Sequence, residues 1–163
     1  MLLADLEAAQ VDWPSSPAAL RPKAPKRKRP RPHQAAAIRA VIKGFSAHDR
    51  GQLIMACGTG KTLTALFIAE CLKAERTLVL VPSLSLLAQT LREWTANASE
   101  DFDYLPVCSD DTVSDPDAAV SSTSDLGLPV TTDAKDIARF LRRRSGRRVV
   151  FSTYQSSPRI AEA

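Results

Sequence analysis

A glycine-rich segment one third of the way along the chain carries residue types that bind phosphate. The string MACGTGKT, residues 55–62, ends in Gly-Lys-Thr, which matches the second half of the pattern G-x-x-x-x-G-K-[ST]. Backbone N–H groups from Gly58 to Thr62 can point at phosphate oxygens, and Lys61 can neutralise the β- and γ-phosphates. The Thr62 hydroxyl is a natural ligand for Mg²⁺. These residues predict a site for a nucleoside triphosphate.

The first glycine of the pattern is replaced by Met55. That position begins the turn and need not touch phosphate, so the replacement does not remove the predicted site. Cys57 lies inside the loop, where it is either a small space-filling residue or a redox-sensitive thiol, and we favour the space-filling interpretation. A chance strand–turn–helix with the string GTGKT is the alternative to a nucleotide site.

The elements that must position this loop alternate between strands and helices. Apolar runs predict strands at 52–56, 77–81, 103–109 and 148–153. Helical spacing predicts helices at 33–45, 61 to about 74, 84–94 and 133 to about 144, and residues 110–132 are predicted to be a loop or insertion. Uninterrupted apolar strands are typical of a parallel sheet covered on both faces. The order therefore predicts an α/β fold, a doubly wound parallel sheet with helices on both faces.

Charge and proline content divide the chain into two parts. Residues 21–32 hold seven Lys or Arg, four Pro and no acid, although the whole chain has a net charge of +4. Because proline prevents regular helix, we predict an N-terminal extension with a basic Pro-rich linker at 1–32 and a single domain at 33–163. The basic tract is either a solvated linker or a surface that meets polyanions, and its composition favours neither.

Several classes of protein are excluded by what the chain lacks. No apolar run reaches the roughly 20 residues that span a bilayer. The N-terminus has no basic start and no long apolar core, so it does not resemble a signal peptide. Three cysteines without metal-ligand spacing are typical of reduced thiols. These features predict a cytoplasmic protein that does not associate with membranes.

Four segments resemble superfamily 2 helicases and translocases. In chain order they are RPHQAAAI (31–38), GQLIMACGTGKT (51–62), LVLVPSLSLLAQTLREW (78–94) and VVFSTYQS (149–156). The resemblance implies a P-loop NTPase fold, the N-terminal RecA-like lobe of a DEAD/DEAH-type helicase. The phrases DRGQLIMACGTGKT, VPSLSLLAQT and VCSD are most similar to type ISP restriction–modification enzymes and related restriction subunits of types I and III. In that family a loop that begins with Met or Ala is normal.

The resemblance implies a nucleotide-binding role for particular residues. Gln34 matches a glutamine that reads the adenine edge through an amide able to donate and to accept; by itself it would be an ordinary residue near a helix start. The implied cofactors are ATP and Mg²⁺, with Thr62 as the Mg²⁺ ligand. The implied nucleotide-binding set is Gln34, Cys57, Gly58, Thr59, Gly60, Lys61 and Thr62.

The resemblance also implies contacts with DNA, double-stranded and met through its backbone. One motif follows the strand 77–81 and another follows the strand 148–153. Ser83 could also be a simple helix N-cap, a role compatible with a DNA contact, and Tyr154 could equally be packed in the core. The basic tract adds two arginines. The predicted contacts are Pro82, Ser83, Ser85, Thr153, Tyr154, Gln155, Arg27 and Arg29.

Hydrolysis needs parts that these 163 residues do not contain. No DEAD or DEAH string, which would hold Mg²⁺ and orient water, occurs in the chain, and no second lobe supplies an arginine. We therefore expect a fragment that ends before the D-E-x-x strand of a larger helicase or restriction polypeptide. The expected function is the ATP-binding part of an ATP-dependent DNA helicase or translocase, with negligible ATPase activity by itself.

Two other functions are alternatives to this one. The first is a non-catalytic nucleic-acid-binding module that uses the tract 21–32 and carries a vestigial phosphate loop. The second is a small-molecule kinase, which RPHQ and VPSLSLLAQT argue against because a kinase has no use for either string. The incomplete sheet also predicts an open edge strand and a tendency to aggregate.

Overall fold

Five helices and three strands make up the part of the chain that the computed structural model describes, residues 26–109, 129–143 and 146–163. Residues 1–25 of the predicted extension 1–32 and residues 110–128 of the predicted loop 110–132 lie outside these residues. The helices are α1 (Pro32–Phe45), α2 (Lys61–Cys71), α3 (Leu84–Asn97), α4 (Ala134–Leu141) and α5 (Pro158–Ala161). The strands are β1 (Arg76–Val81), β2 (Asp103–Val107) and β3 (Arg148–Thr153).

The three strands form one parallel sheet in the order β1-β3-β2. Val81 of β1 lies beside Thr153 of β3, and Val107 of β2 lies beside Ser152. Every residue of the central strand β3 is buried, as expected for a strand with neighbours on both sides and helices on both faces. The predicted α/β architecture is confirmed.

Side chains that alternate along β3 build a hydrophobic core on each face of the sheet. On one face Phe151 packs with Trp94 of α3 and Leu66 of α2, and the Trp94 and Phe151 rings meet edge-on with centroids 5.5 Å apart. On the other face Val150 packs with Ile137 of α4. Burying each such side chain contributes about 1.5–3 kcal/mol, so these two clusters hold the helices onto the sheet.

The predicted strand at 52–56 is wrong, because the backbone there is irregular. A groove of about 840 Å³ lies between this run and β1, lined by Leu53 on one side and by Leu78 and Leu80 on the other. A strand needs a neighbour to receive its backbone hydrogen bonds, and within the described residues β1 pairs only with β3. The run 52–56 is therefore apolar enough for a strand but, in the part of the chain that the structure describes, has no strand beside it to pair with. The edge of β1 that faces away from β3 is the expected open edge.

Helix α2 ends at Cys71, earlier than the sequence predicted. Lys73 adopts a positive φ of 51° and donates its N–H to Glu70 O at 3.0 Å, while Ala74 N–H reaches Ala69 O at 3.1 Å. This pair of bonds is the Schellman arrangement, which stops a helix with a left-handed residue. Glycine is the usual signal for such a stop, and it is absent here.

The remaining boundaries differ from the predictions by a few residues. Strand β2 ends at Val107, and α4 ends at Leu141. Among the described residues, no helix has the length and apolarity needed to cross a bilayer.

Candidate nucleotide-binding site

The loop that precedes α2 is the segment predicted to bind phosphate, and it contains two residues with a left-handed backbone. Gly58 and Gly60 have φ values of 74° and 82°, a region that residues with a Cβ rarely adopt. Gly60 is the N-cap of α2, so Lys61 and Thr62 occupy its first two positions. The first N–H groups of a helix have no partner within the helix, and they carry the positive end of its dipole. The predicted loop can therefore offer amide donors to an anion.

The lysine of the loop is held by the loop's own carbonyl groups. Lys61 Nζ donates to Ala56 O at 3.1 Å and to Met55 O at 3.4 Å, and Thr59 Oγ1 donates to Ala56 O at 2.7 Å. Phosphate oxygens are stronger partners for an ammonium group than neutral carbonyls are. Phosphate oxygens can therefore replace these carbonyls as partners of the Lys61 ammonium group, while the backbone of Lys61 stays in place at the start of the helix.

Gln34, at the start of α1, is joined directly to this loop. Its side-chain nitrogen donates to Thr59 O at 3.3 Å and to Gly60 O at 3.1 Å, while its Oε1 accepts from Arg31 N at 2.9 Å. Gln34 is only 4% exposed. Both carboxamide hydrogens are thus in use, and Oε1 keeps one lone pair for a further donor such as an adenine amino group.

Sequence reasoning missed His33, which lies beside Gln34 and also contacts the loop. Its Nε2 is 3.1 Å from Thr59 O. The position next to Gln34 in the string RPHQ was the only signal for it. The start of α1 therefore meets the phosphate loop through two consecutive side chains.

Thr62 is the residue of this loop that was predicted to bind Mg²⁺. The described residues contain no group of three or more His, Cys, Asp or Glu side chains that could hold a metal. Thr62 is half-buried, and its carbonyl accepts from Trp94 Nε1 at 3.0 Å. Mg²⁺ commonly takes its remaining oxygen ligands from phosphates and water. Cys57, which we interpreted as a small space-filling residue of the loop, is exposed.

The two predicted nucleic-acid motifs meet at the carboxyl edge of the sheet. Tyr154 N–H donates to Val81 O at 3.1 Å, which brings the residues after β3 beside those after β1. Ser83 is the N-cap of α3, and its side chain accepts from Leu86 N at 3.3 Å. The N-capping alternative for Ser83 is therefore confirmed, with Pro82 exposed immediately before it.

The residues predicted to contact nucleic acid at this edge differ in how far their side chains are exposed. Tyr154 is 56% exposed, so its predicted alternative of core packing is wrong. Gln155 is also exposed, and Ser85 is half-buried. Thr153 is fully buried and donates its hydroxyl to Ser156 Oγ at 3.2 Å. The prediction that Thr153 contacts nucleic acid is corrected, because its side chain supports the turn and does not reach the surface.

The two arginines predicted to contact nucleic acid differ in their surroundings. Arg27 forms an ion pair with Glu70, with 2.6 Å between nitrogen and oxygen. Arg29 is exposed. The pairing of Arg27 across 43 positions of the chain could not be read from the charge of the tract alone.

Comparison with known proteins places this geometry in a family. A family model described as type III restriction enzyme, res subunit, matches residues 27–162. The chain is 40% identical to a nuclease-deletion mutant of the type ISP restriction–modification enzyme LlaGI in complex with a DNA substrate mimic, with a TM-score of 0.65 over 83% of this chain and 14% of that chain. It is 37% identical to the ATP-dependent type ISP enzyme LlaBIII bound to DNA, with a TM-score of 0.76 over 99% of this chain and 11% of that chain.

A curated relative extends the similarity beyond restriction enzymes. The chain is 38% identical over 81 residues to the XPB helicase/translocase subunit of the basal transcription factor TFIIH from Trypanosoma brucei brucei, a match that covers 48% of this chain and 8% of the relative. The chain thus spans about a tenth of the length of these proteins. The parallel sheet, the phosphate loop and the matched residues together show that the chain belongs to the helicase-like family described by the type III restriction enzyme res subunit, with the fold of a RecA-like lobe.

Proposed function

We propose that this chain is the ATP-binding part of an ATP-dependent DNA helicase or translocase of the restriction–modification type. The observation that carries the proposal is the direct contact of Gln34 with the carbonyls of Thr59 and Gly60. It joins a side chain suited to an adenine edge to a loop suited to a triphosphate, as a site for an adenine nucleotide requires. The family match over 27–162 supports the same proposal.

In the proposed site each part of the nucleotide has a chemically matched partner. Amides from Gly58 to Thr62 and the Lys61 ammonium group would hold the phosphates, and the remaining lone pair of Gln34 Oε1 would accept from the base. The Thr62 hydroxyl would be the protein ligand to Mg²⁺, which neutralises phosphate charge.

We expect this chain to bind ATP and to hydrolyse it negligibly by itself. Hydrolysis in P-loop enzymes uses an acidic residue on the metal, a group that orients water and often an arginine. The 163 residues contain no DEAD or DEAH string, and the described residues contain no acidic cluster suited to a metal. Turnover would therefore depend on parts of a larger polypeptide.

The proposed DNA contacts lie at the carboxyl edge of β1 and β3. Exposed Pro82, Tyr154 and Gln155 border the N-terminus of α3 there, and a helix N-terminus can bind a backbone phosphate without reading bases. The two solved relatives are described as bound to DNA or to a DNA mimic. Both facts support a DNA partner for this edge.

A titration with a fluorescent ATP analogue and Mg²⁺ tests the nucleotide part of the proposal. We expect saturable binding by the wild-type chain and a loss of about tenfold or more in Lys61→Ala, because an ammonium–phosphate contact is charge-assisted. Lys43→Ala, which removes an exposed lysine of α1, is the matched control and should bind as the wild type does. No uptake by folded wild-type protein would refute the proposal.

The same samples distinguish the alternative of a non-catalytic nucleic-acid module. DNA binding that is salt-sensitive, indifferent to nucleotide and abolished by deletion of 21–32 would favour the module. Nucleotide-dependent protection from proteolysis that disappears in Lys61→Ala would favour the ATP-binding part of a helicase or translocase.

A further inference from the structure

Residues 26–31, here called the strap, run from the surface of α2 and α3 to the start of α1. Arg27 Nε donates to Asn97 O at 2.8 Å, and its Nη2 donates to Glu70 Oε2 at 2.6 Å. The guanidinium carbon lies 5.9 Å from the centroid of the Phe67 ring. Lys28 adds a backbone bond to Asn97 Oδ1 at 3.0 Å. The strap is therefore attached at residues 27 and 28 by several directional contacts.

The groups that receive Arg27 are themselves fixed by other bonds. Glu70, whose side chain is only 11% exposed, accepts from Ser99 N at 2.6 Å and from Ser99 Oγ at 2.8 Å through its other oxygen. Asn97, at 4% exposure, donates its amide to Glu93 O at 2.8 Å. The Asn97 carbonyl ends α3, where a cation is favourable to the helix dipole. The groups that bind Arg27 are therefore held in place by hydrogen bonds that do not involve the strap.

The opposite end of the strap holds the residue that contacts the phosphate loop. Arg31 N–H donates to Gln34 Oε1 at 2.9 Å, which turns the Gln34 nitrogen toward the carbonyls of Thr59 and Gly60. Pro30 and Pro32 flank Arg31. Their rings set φ, and they restrict the residue before each of them. The backbone between Lys28, which is attached to Asn97, and Gln34 therefore has few accessible conformations.

We propose that Arg27 is a positioning residue for the nucleotide site: by attaching the strap to Glu70 and to the end of α3, it fixes the Gln34 carboxamide against the phosphate loop. The inference rests on the proposed ATP site and adds to it a residue that touches neither nucleotide nor loop. It differs from the role expected from charge alone, in which Arg27 contacts nucleic acid. The two roles predict different losses on substitution.

Arg27→Ala and Arg29→Ala form a matched pair within the strap. Both remove one positive charge, and within the described part of the chain Arg29 makes no hydrogen bond or ion pair. We expect Arg27→Ala to raise the Kd for the ATP analogue about fivefold, because Gln34 is no longer preorganised, and to reduce the preference for ATP over GTP. Arg29→Ala should leave both quantities unchanged.

Arg27→Lys and Glu70→Gln keep the inference testable if Arg27→Ala folds poorly. Lysine can keep the charge contact with Glu70 but loses the second donor to Asn97, so an intermediate Kd is expected. Glutamine at position 70 keeps an oxygen for Ser99 and loses the charge that Arg27 pairs with, so its effect should match the direction of Arg27→Ala. Circular dichroism and thermal melting establish that each variant is folded.

Hydrogen–deuterium exchange without nucleotide separates failure of this inference from failure of the proposed function. We expect faster exchange of the Arg31 amide, which donates to Gln34 Oε1, in Arg27→Ala and no change in Arg29→Ala. If the wild type binds no ATP, the proposed function fails, and the exchange result alone decides whether Arg27 positions Gln34. Equal exchange and equal nucleotide affinity in the two variants, or a loss in Arg27→Ala confined to DNA binding, would overturn the inference.

Discussion

The carboxamide nitrogen of Gln34 lies 3.1 Å from the carbonyl oxygen of Gly60 and occupies the space next to its Cα, so that a Cβ added to residue 60 would lie 2.6 Å from that nitrogen. Gly60 is therefore required for two separate reasons. Its φ of 82° is strained for any residue with a side chain. A Cβ at residue 60 would also force the Gln34 carboxamide to move.

Gly60→Ala should for this reason damage both stability and nucleotide binding. We expect a loss of about 1–2 kcal/mol from the left-handed backbone and, because Gln34 must move, a marked loss of affinity for the ATP analogue. Urea denaturation and the analogue titration measure the two effects. Gly51→Ala is the matched control, since a Cβ there meets nothing within 4 Å. Equal behaviour of the two variants would contradict the prediction.

Trp94→Phe tests the link between the core and the start of α2. Trp94 is 1% exposed, and its Nε1 donates to the Thr62 carbonyl at 3.0 Å. Phenylalanine keeps an aromatic ring beside Phe151 but removes the donor, so we expect a loss of about 1–3 kcal/mol in the free energy of unfolding. Leu86→Ala, at an exposed position of the same helix, should change stability by no more than about 0.5 kcal/mol.

The open edge of β1 should promote self-association. Leu78 and Leu80 are 49% and 38% exposed, and an exposed apolar edge strand is a template for pairing with other chains. We expect Leu78→Lys to shift the sample toward monomer in size-exclusion chromatography with light scattering. Leu86→Lys adds the same charge on α3, away from this edge, and should not have this effect. A monodisperse wild-type monomer would count against the prediction.

Tyr154 should contribute to DNA binding through its exposed side chain. Its backbone is held to Val81 at the carboxyl edge of the sheet, so the ring can be removed without disturbing the core. We expect Tyr154→Ala to weaken DNA binding by a similar factor for unrelated sequences, because contacts with the backbone carry no base information. Tyr154→Phe separates a hydroxyl contact from a ring contact. Unchanged DNA affinity in Tyr154→Ala would place the interface elsewhere.

Much of the fold could be predicted because it depends on the local spacing of apolar residues in the sequence. The stripe of α3 from Leu84 to Trp94 repeats with helical spacing, and the apolar run of β1 is continuous. The stripe of α3 is buried as predicted. Strand β1 forms where its apolar run predicts it, although its residues alternate between exposed and half-buried. The positive φ of Gly58 and Gly60 is also a local feature, because glycine adopts this backbone conformation more readily than other residues do. The phosphate-binding role of their loop stays a prediction.

Predictions that depended on a partner were less reliable. The run 52–56 is apolar enough for a strand, but a strand exists only where another strand accepts its hydrogen bonds. The end of α2 at Lys73 uses a left-handed lysine, for which the sequence has no glycine signal. Tyr154 and Thr153, adjacent in the chain, lie at opposite extremes of exposure, which only the turn after β3 determines.

The sequence by itself determined the three strands of the sheet, four of the five described helices and the family of the chain, because each depends on residues close together in the chain. Only the tertiary structure decided that Gln34 contacts Thr59 and Gly60. It also decided that Arg27 forms an ion pair with Glu70, 43 residues away. Hydrogen bonds and ion pairs act over a few ångströms, so groups distant in the chain interact only where folding brings them together.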